Sequence, residues 1–336
     1  MITYFEIQTT GEIRESRSEK AANWIHFEDP SKHEMQHFAR KYHLPRMLFE
    51  VAQDINEVAR YETFTTETGE TLSHICLLVP VKTHDSEKHA EYITRPFSFI
   101  ISGQTLLTVG HQQSELVAEM QRITGTDQQV ESIVLQSISL IYQRYLTALD
   151  VVAQQIHQLE KNVHISTRNQ ILYALKALKK SVVYLDLGLK SNQQSLPQIK
   201  ETALFEEVAD QKDRLYRIDL QFAKSDKAIT TYRALLEQLS DLLSDIISNR
   251  LNNIMKTLTS ISIVLTVPTI IGGFWGMNVP VPLTHSGKGF ILLLGLSGIV
   301  SALVGLVAEE EGLFLKDTLK KTLFFLLELS AKAVYS

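Results

Sequence analysis

One stripe of side chains in the C-terminal third of the chain has the chemistry to handle ions. Asp241, Asp245, Ser248, Asn252, Met255, Thr259, Ser262, Thr266, Thr269 and Gly273 recur at steps that alternate between four and three residues. That spacing puts them on one face of a helix. The face offers carboxylates at its N-terminal end, then amides and hydroxyls. Turned inward around an axis, it would line a wet path through an apolar medium. The competing reading is helix packing, because small and hydroxylated residues favour close approach in lipid. A path needs more than one copy of the stripe, so that reading requires an oligomer.

The element that carries the stripe becomes apolar as it proceeds. No Asp, Glu, Lys or Arg lies between Lys256 and Lys288. Leu258 to Met277 is long enough to cross a bilayer as a helix, and Gly289 to Ala308 is a second candidate. MITYFEIQTT lacks the basic start and apolar core of a secretory signal. Two close spans without such a signal predict a multi-pass protein with both termini cytoplasmic. The flanking charges are mixed: Arg250 and Lys256 precede the first span, Glu309, Glu310 and Glu311 follow the second. Upstream, one helix is expected to run from about Glu201 to the span, far longer than a globular helix, as in a stalk or coiled coil. Ile229, Tyr232, Leu236, Leu239, Leu243 and Ile246 form a heptad seam on a different face from the polar stripe.

Residues 1–125 read as a mixed α/β domain. Met1–Gln8, Asn23–Phe27, Thr71–Val81 and Tyr92–Val109 carry strand patterns, the last broken at Ser102–Gly103. Ser31 is placed to cap a helix from Lys32 to Tyr42, with Glu34 completing a capping box. A further helix is expected from Pro45 to about Ala59, and another over Gln112–Ile123. Residues 126–200 read as a helical hairpin, Val130 to about Val163 and Thr167 to about Leu189, with a break at Ser191–Lys200 around Pro197. The stalk then spans 201–257, the first membrane helix 258–278, an outer loop 279–288, the second helix 289–308 and a tail 309–336. Leu313–Leu329 of that tail has the pattern of an interfacial helix.

Composition excludes several classes. The 336 residues carry a net charge of −5, with no basic excess for nucleic acid. The single cysteine, Cys76, sits in an apolar run and reads as a buried structural thiol. His33 and His37, four apart on the expected helix with His43 beyond, have a spacing that could offer a transition-metal site, but among eleven histidines such spacings arise by chance and surface histidines are the stronger reading. No phosphate-binding glycine loop and no nucleophile–base set stands out, so an enzyme is not expected.

Gly276-Met277-Asn278, at the outer end of a first span and followed by one more span, resembles the signature of the CorA family of magnesium channels. Phe274-Trp275 before it, the neck Asn252-Asn253-Ile254-Met255-Lys256 with Leu258-Thr259, the stalk, the hairpin and Trp24…Asp29-Pro30 are similar to that family too. The resemblance covers roughly residues 20–308. It implies an α/β cytoplasmic domain with a long helical stalk and two transmembrane helices, assembled as a pentameric funnel in the inner or plasma membrane. It implies a homopentamer that passes Mg2+, with Co2+ and Ni2+ as further ions.

On that resemblance, Gly276, Met277 and Asn278 form the selectivity ring. Mg2+ releases its waters reluctantly. Asn278 amide oxygens, in a ring, would accept hydrogen bonds from those waters, an outer-sphere site. Gly276 leaves room for backbone carbonyls. Thr269, Thr266, Ser262 and Thr259 would line the pore, Met255 and Leu258 its apolar rings, and Asn252 a polar ring. Asp241 and Asp245 would make an inner acidic ring that concentrates cations. Mg2+ would also act as a regulator between soluble domains, but Arg217 stands at the sensor position, with Asp213, Asp219, Glu206, Glu207 and Asp210 nearby, so no sensor set is assigned. The alternatives are the same fold moving Zn2+ or another transition metal, and a membrane-anchored coiled-coil scaffold or sensor.

Overall fold

The computed structural model describes residues 1–8, 12–42, 44–45, 47–51, 54, 56–65, 69–83, 91–123, 129–162, 168–277, 295–301 and 303. The chain divides into two compact units, Met1–Ser240 and Asp241–Ser336.

The first unit is built on a seven-stranded sheet: β1 (Ile2–Ile7), β2 (Ile13–Ser16), β3 (Trp24–Glu28), β4 (Arg60–Thr65), β5 (Thr71–Lys82), β6 (Tyr92–Ser102) and β7 (Thr105–Gly110). Their order is β2-β1-β3-β7-β6-β5-β4. Every neighbouring pair is antiparallel except β3 and β7, which run parallel with Trp24 opposite Leu106. The break expected at Ser102–Gly103 is the hairpin between β6 and β7, where Gly103 takes φ 52°, a conformation glycine adopts without strain.

Alternation decides the layers. Ile25, Phe27, Leu72, Ile100, Leu107 and Val109 bury one face against α1 (Lys32–Lys41) and α2 (Met47–Glu50). Ser31 caps α1 as expected: its hydroxyl accepts from the Glu34 N–H, and the Glu34 carboxylate accepts from the Ser31 N–H at 2.8 Å. The longer helix expected from Pro45 to Ala59 is not formed. Among the described residues of that stretch Met47–Glu50 alone is α-helical, and further on the Asp54 carboxylate accepts from the Asn56 N–H at 2.9 Å, a local turn that competes with helix. The polar edge strands β2 and β4 were not expected, since neither shows a buried alternation.

The other face carries α3 (Ser114–Gln121) and the hairpin of α4 (Val130–Asn162) and α5 (Arg168–Glu201). Tyr145 of α4 donates to the Leu78 carbonyl at 2.9 Å. Asn192 of α5 accepts from the Leu78 N–H and donates to its carbonyl, both at 2.8 Å. These bonds explain a second difference from expectation. Helix α5 runs through Ser191 and Pro197 to Glu201. Proline there removes one helical hydrogen bond, but Asn192, Ser195, Leu196 and Ile199 are buried and hold the segment in place.

After a short 3-10 turn at Ala203–Phe205, α6 runs unbroken from Gln211 to Trp275, 65 residues. The stalk therefore begins ten residues later than expected. Its heptad seam is buried at Ile229, Leu236, Leu239 and Leu243, so the apolar seam is covered within the chain itself. In the second unit the described residues are the rest of α6, the turn to Met277, and helical residues near Gly295–Ser301.

Candidate ion pathway

Helix α6 positions every described residue of the stripe. Asp241, Asp245, Asn252, Met255, Leu258, Thr259, Ser262, Thr266 and Thr269 are all exposed. Leu258, Thr259, Ser262, Ile263, Thr266 and Val267 line an open groove of about 380 Å³. Ser260 on the same helix is buried, as are Ser297 and Ser301. The small-residue signal for close packing among the described residues thus belongs to Ser260, while the stripe is exposed.

The hydroxyls are oriented. Ser262 donates to the Leu258 carbonyl at 2.9 Å, Thr266 to Ser262 at 2.7 Å and Thr269 to Leu265 at 2.7 Å. Each proton is committed to the carbonyl one turn back. What remains available on each oxygen is lone-pair density, an acceptor. Acceptors in a row suit a cation or the water hydrogens of its hydration shell, and they do not favour anions. The helix ends in small residues: Gly276 donates its N–H to the Gly272 carbonyl at 3.0 Å and Met277 to Phe274 at 3.4 Å. Gly272 and Gly273 have open space where a Cβ would sit. Asn278, the outer loop 279–288, most of 289–308 and the tail 309–336 lie outside the described residues.

The residues near the expected sensor position separate. Asp219 pairs with Lys200. Asp210, Asp213, Arg214 and Arg217 line a cavity of about 450 Å³ with Gln136, Ser139 and apolar Ile123, Leu135 and Leu140. Among the described residues no group of three or more His, Cys, Asp or Glu is placed to hold a metal. Cys76 is buried as expected, and burial pushes its thiol up to about 12, which leaves it unreactive. Two ionic ties were missed: Asp186 of α5 accepts from Lys190 at 3.1 Å and from Arg233 of α6, and Lys200 of α5 pairs with Asp219 of α6. Only the four-residue spacing of Asp186 and Lys190 is visible in sequence.

Among the described residues one helix, α6, is long and apolar enough to cross a membrane. The family model described as CorA-like Mg2+ transporter protein matches residues 19–308. This chain belongs to that family. A curated CorA relative, the cobalt/magnesium transport protein of Methanocaldococcus jannaschii, is 22% identical over 331 residues, covering 93% of this chain and 99% of that protein. The complete structure of the CorA magnesium transporter from the same organism matches with a TM-score of 0.71 at 20% identity, over 91% of this chain and 96% of that one. The cytoplasmic domain of ZntB from Vibrio parahaemolyticus matches with a TM-score of 0.56 at 11% identity, over 74% and 98%. These structures establish the CorA fold: an α/β N-terminal domain followed by a long helix, part of which is apolar enough to cross a membrane.

Proposed function

We propose that this CorA-like protein is a homopentameric channel that passes Mg2+, with Co2+ and Ni2+ as further ions, passively across the cell membrane. The observation that carries the reading is the exposed stripe of α6, whose hydroxyl protons are turned into the helix and whose acceptors face outward. Five copies of such a face around an axis give rings of neutral oxygens. Rings of that kind hold a hydrated Mg2+ through its waters without stripping them, which suits an ion that dehydrates reluctantly. Gly276, Met277 and Asn278 form the selectivity ring at the outer mouth. Met255 and Leu258 supply apolar constrictions that close by dewetting, Asn252 a polar ring, and Asp241 and Asp245 an acidic inner vestibule. Both termini are cytoplasmic, with 258–278 and 289–308 crossing the bilayer and the soluble part gating the path.

No nucleotide is required. A divalent ion moving inward down 100 mV gains about 4.6 kcal/mol, twice the single-charge value. The test is ion flux into liposomes containing the purified protein, with Mg2+, Co2+, Ni2+ and Zn2+ compared. Mg2+ flux that falls sharply in Asn278→Ala is the expected result. A folded pentamer that passes no Mg2+, or an Asn278→Ala variant that matches the parent, sinks the reading. Zn2+ outpacing Mg2+ would assign the path to a transition metal instead.

A further inference from the structure

Helix α6 is fastened to α5 at two points well away from the stripe. Arg233 of α6 donates to Asp186 of α5, and Lys200 of α5 donates to Asp219 of α6. The two anchor positions are fourteen residues apart on both helices, 186 to 200 and 219 to 233. Equal spacing on two antiparallel helices fixes one axial register across about four turns, roughly 21 Å. The polarity reverses between the ends: the acid is on α5 at one and on α6 at the other. Sliding α6 by one turn, about 5.4 Å, therefore takes both cations away from their carboxylates together.

The two ends differ in what release leaves behind. The Asp219 side chain is 46% exposed, so water takes over when Lys200 leaves. Asp186 is only 11% exposed, and a buried carboxylate stripped of its cation is strongly destabilising. Lys190 prevents that. It lies one turn along the same helix and already donates to the Asp186 carboxylate at 3.1 Å. When Arg233 departs, Asp186 keeps a cation that moves with it. Among the described residues, further polar ties of α6 join it to α4: Ser139 donates to Gln221 at 3.1 Å and Arg214 to Ser132 at 3.3 Å. Both involve flexible side chains and re-form readily.

We propose that Asp186–Arg233 and Lys200–Asp219 are a two-point axial latch that sets the position of α6 along α5, and through it the ion flux, with Asp186–Arg233 as the end built to release and re-form. The inference rests on the channel reading above, because α6 continues as one helix to Trp275 and carries the stripe. Asp186 and Arg233 are positioning residues; neither meets the ion.

The experiment uses the full chain in liposomes with two readouts. One is Mg2+ uptake. The other is the distance between spin labels at Tyr173→Cys on α5 and Leu220→Cys on α6, both exposed, with Cys76 buried away from the label. Arg233→Glu is expected to change uptake at least threefold and to shift the label distance by several ångströms. Reversing the pair with Asp186→Arg plus Arg233→Glu is expected to restore both. Uptake and distance unchanged in Arg233→Glu overturn the latch. So does a change that the reversed pair fails to rescue, which marks a packing defect, and so does a shifted distance with unchanged uptake. A parent that takes up no Mg2+ brings down the channel reading, and the label distance then still decides whether the two pairs set the register.

Discussion

The sheet of the first unit and the apolar half of α6 treat large side chains in opposite ways. Trp24 is fully buried, stacks on Phe5 at 4.3 Å and spends its indole N–H on the Thr108 hydroxyl at 2.9 Å. Phe274 is 65% exposed and Leu258 56%, and Leu251, Ile254, Leu265 and Ile270 are exposed with them. The sheet meets water and hides its apolar surface. Helix α6 displays that surface along one side and acceptor oxygens along another, a pattern that suits apolar surroundings on one side and, on the channel reading proposed above, an ion path on the other. Substitutions in the two regions should therefore fail in different ways: the first in stability, the second in transport.

The largest expected loss is in the sheet. Trp24→Ala leaves a cavity and takes from the Thr108 hydroxyl one of its two partners, the other being His26, and should cost about 3–5 kcal/mol in denaturant unfolding. A loss under about 1 kcal/mol would mean that this core is not what holds the unit together. Next comes His74, fully buried between β4 and β6 strand residues, where burial and the Arg60 guanidinium drive its pKa down to about 4. The unfolded chain takes up this proton near pH 6.5, so its contribution is fully present above that value. It is lost as the pH falls toward 4, a slope amounting to about 3 kcal/mol. His74→Gln should flatten the stability-versus-pH curve over that window; an unchanged curve would remove His74 from the acid response.

Smaller still is Ser31→Ala, which deletes the cap of α1 and should cost about 1 kcal/mol with no effect on flux. The sharpest contrast comes last. Thr266→Val keeps the shape and removes the outward acceptor. It should leave stability within about 0.5 kcal/mol while lowering Mg2+ flux roughly 3- to 10-fold. If it instead destabilised the protein as Trp24→Ala does, with flux per folded channel intact, the distinction between the two regions would collapse.

The two regions were also unequally legible from sequence. The capping box at Ser31 and Glu34, the β6–β7 break at Gly103 and the alternating core strands follow local rules, and the structure reproduces them. Ile13–Ser16 and Arg60–Thr65 did not, because an edge strand owes its existence to its neighbour's hydrogen bonds and not to its own pattern. Helix α5 crossed Pro197 because Asn192 and the sheet decide the matter from a distance in sequence. The stripe on α6 was readable as periodicity, and its single helix confirms a shared face. The direction of the hydroxyl protons was not readable, since it depends on backbone carbonyls one turn back. Nor was the α5–α6 register, which joins residues forty-seven positions apart.

The lone parallel pair in the sheet has a consequence in time. Trp24 cannot seat until β7 has been made, because its neighbour Leu106 and its hydrogen-bond partner Thr108 arrive more than eighty residues later. At ribosomal speeds of about 5–20 residues per second, the N-terminal strands wait roughly 4–16 s with their apolar faces uncovered. During that interval β1 pairs with β2 on one side and β3 on the other, and β3 has no partner on its far side. The nascent chain is open to misassociation over that interval, before the hairpin and the long helix exist.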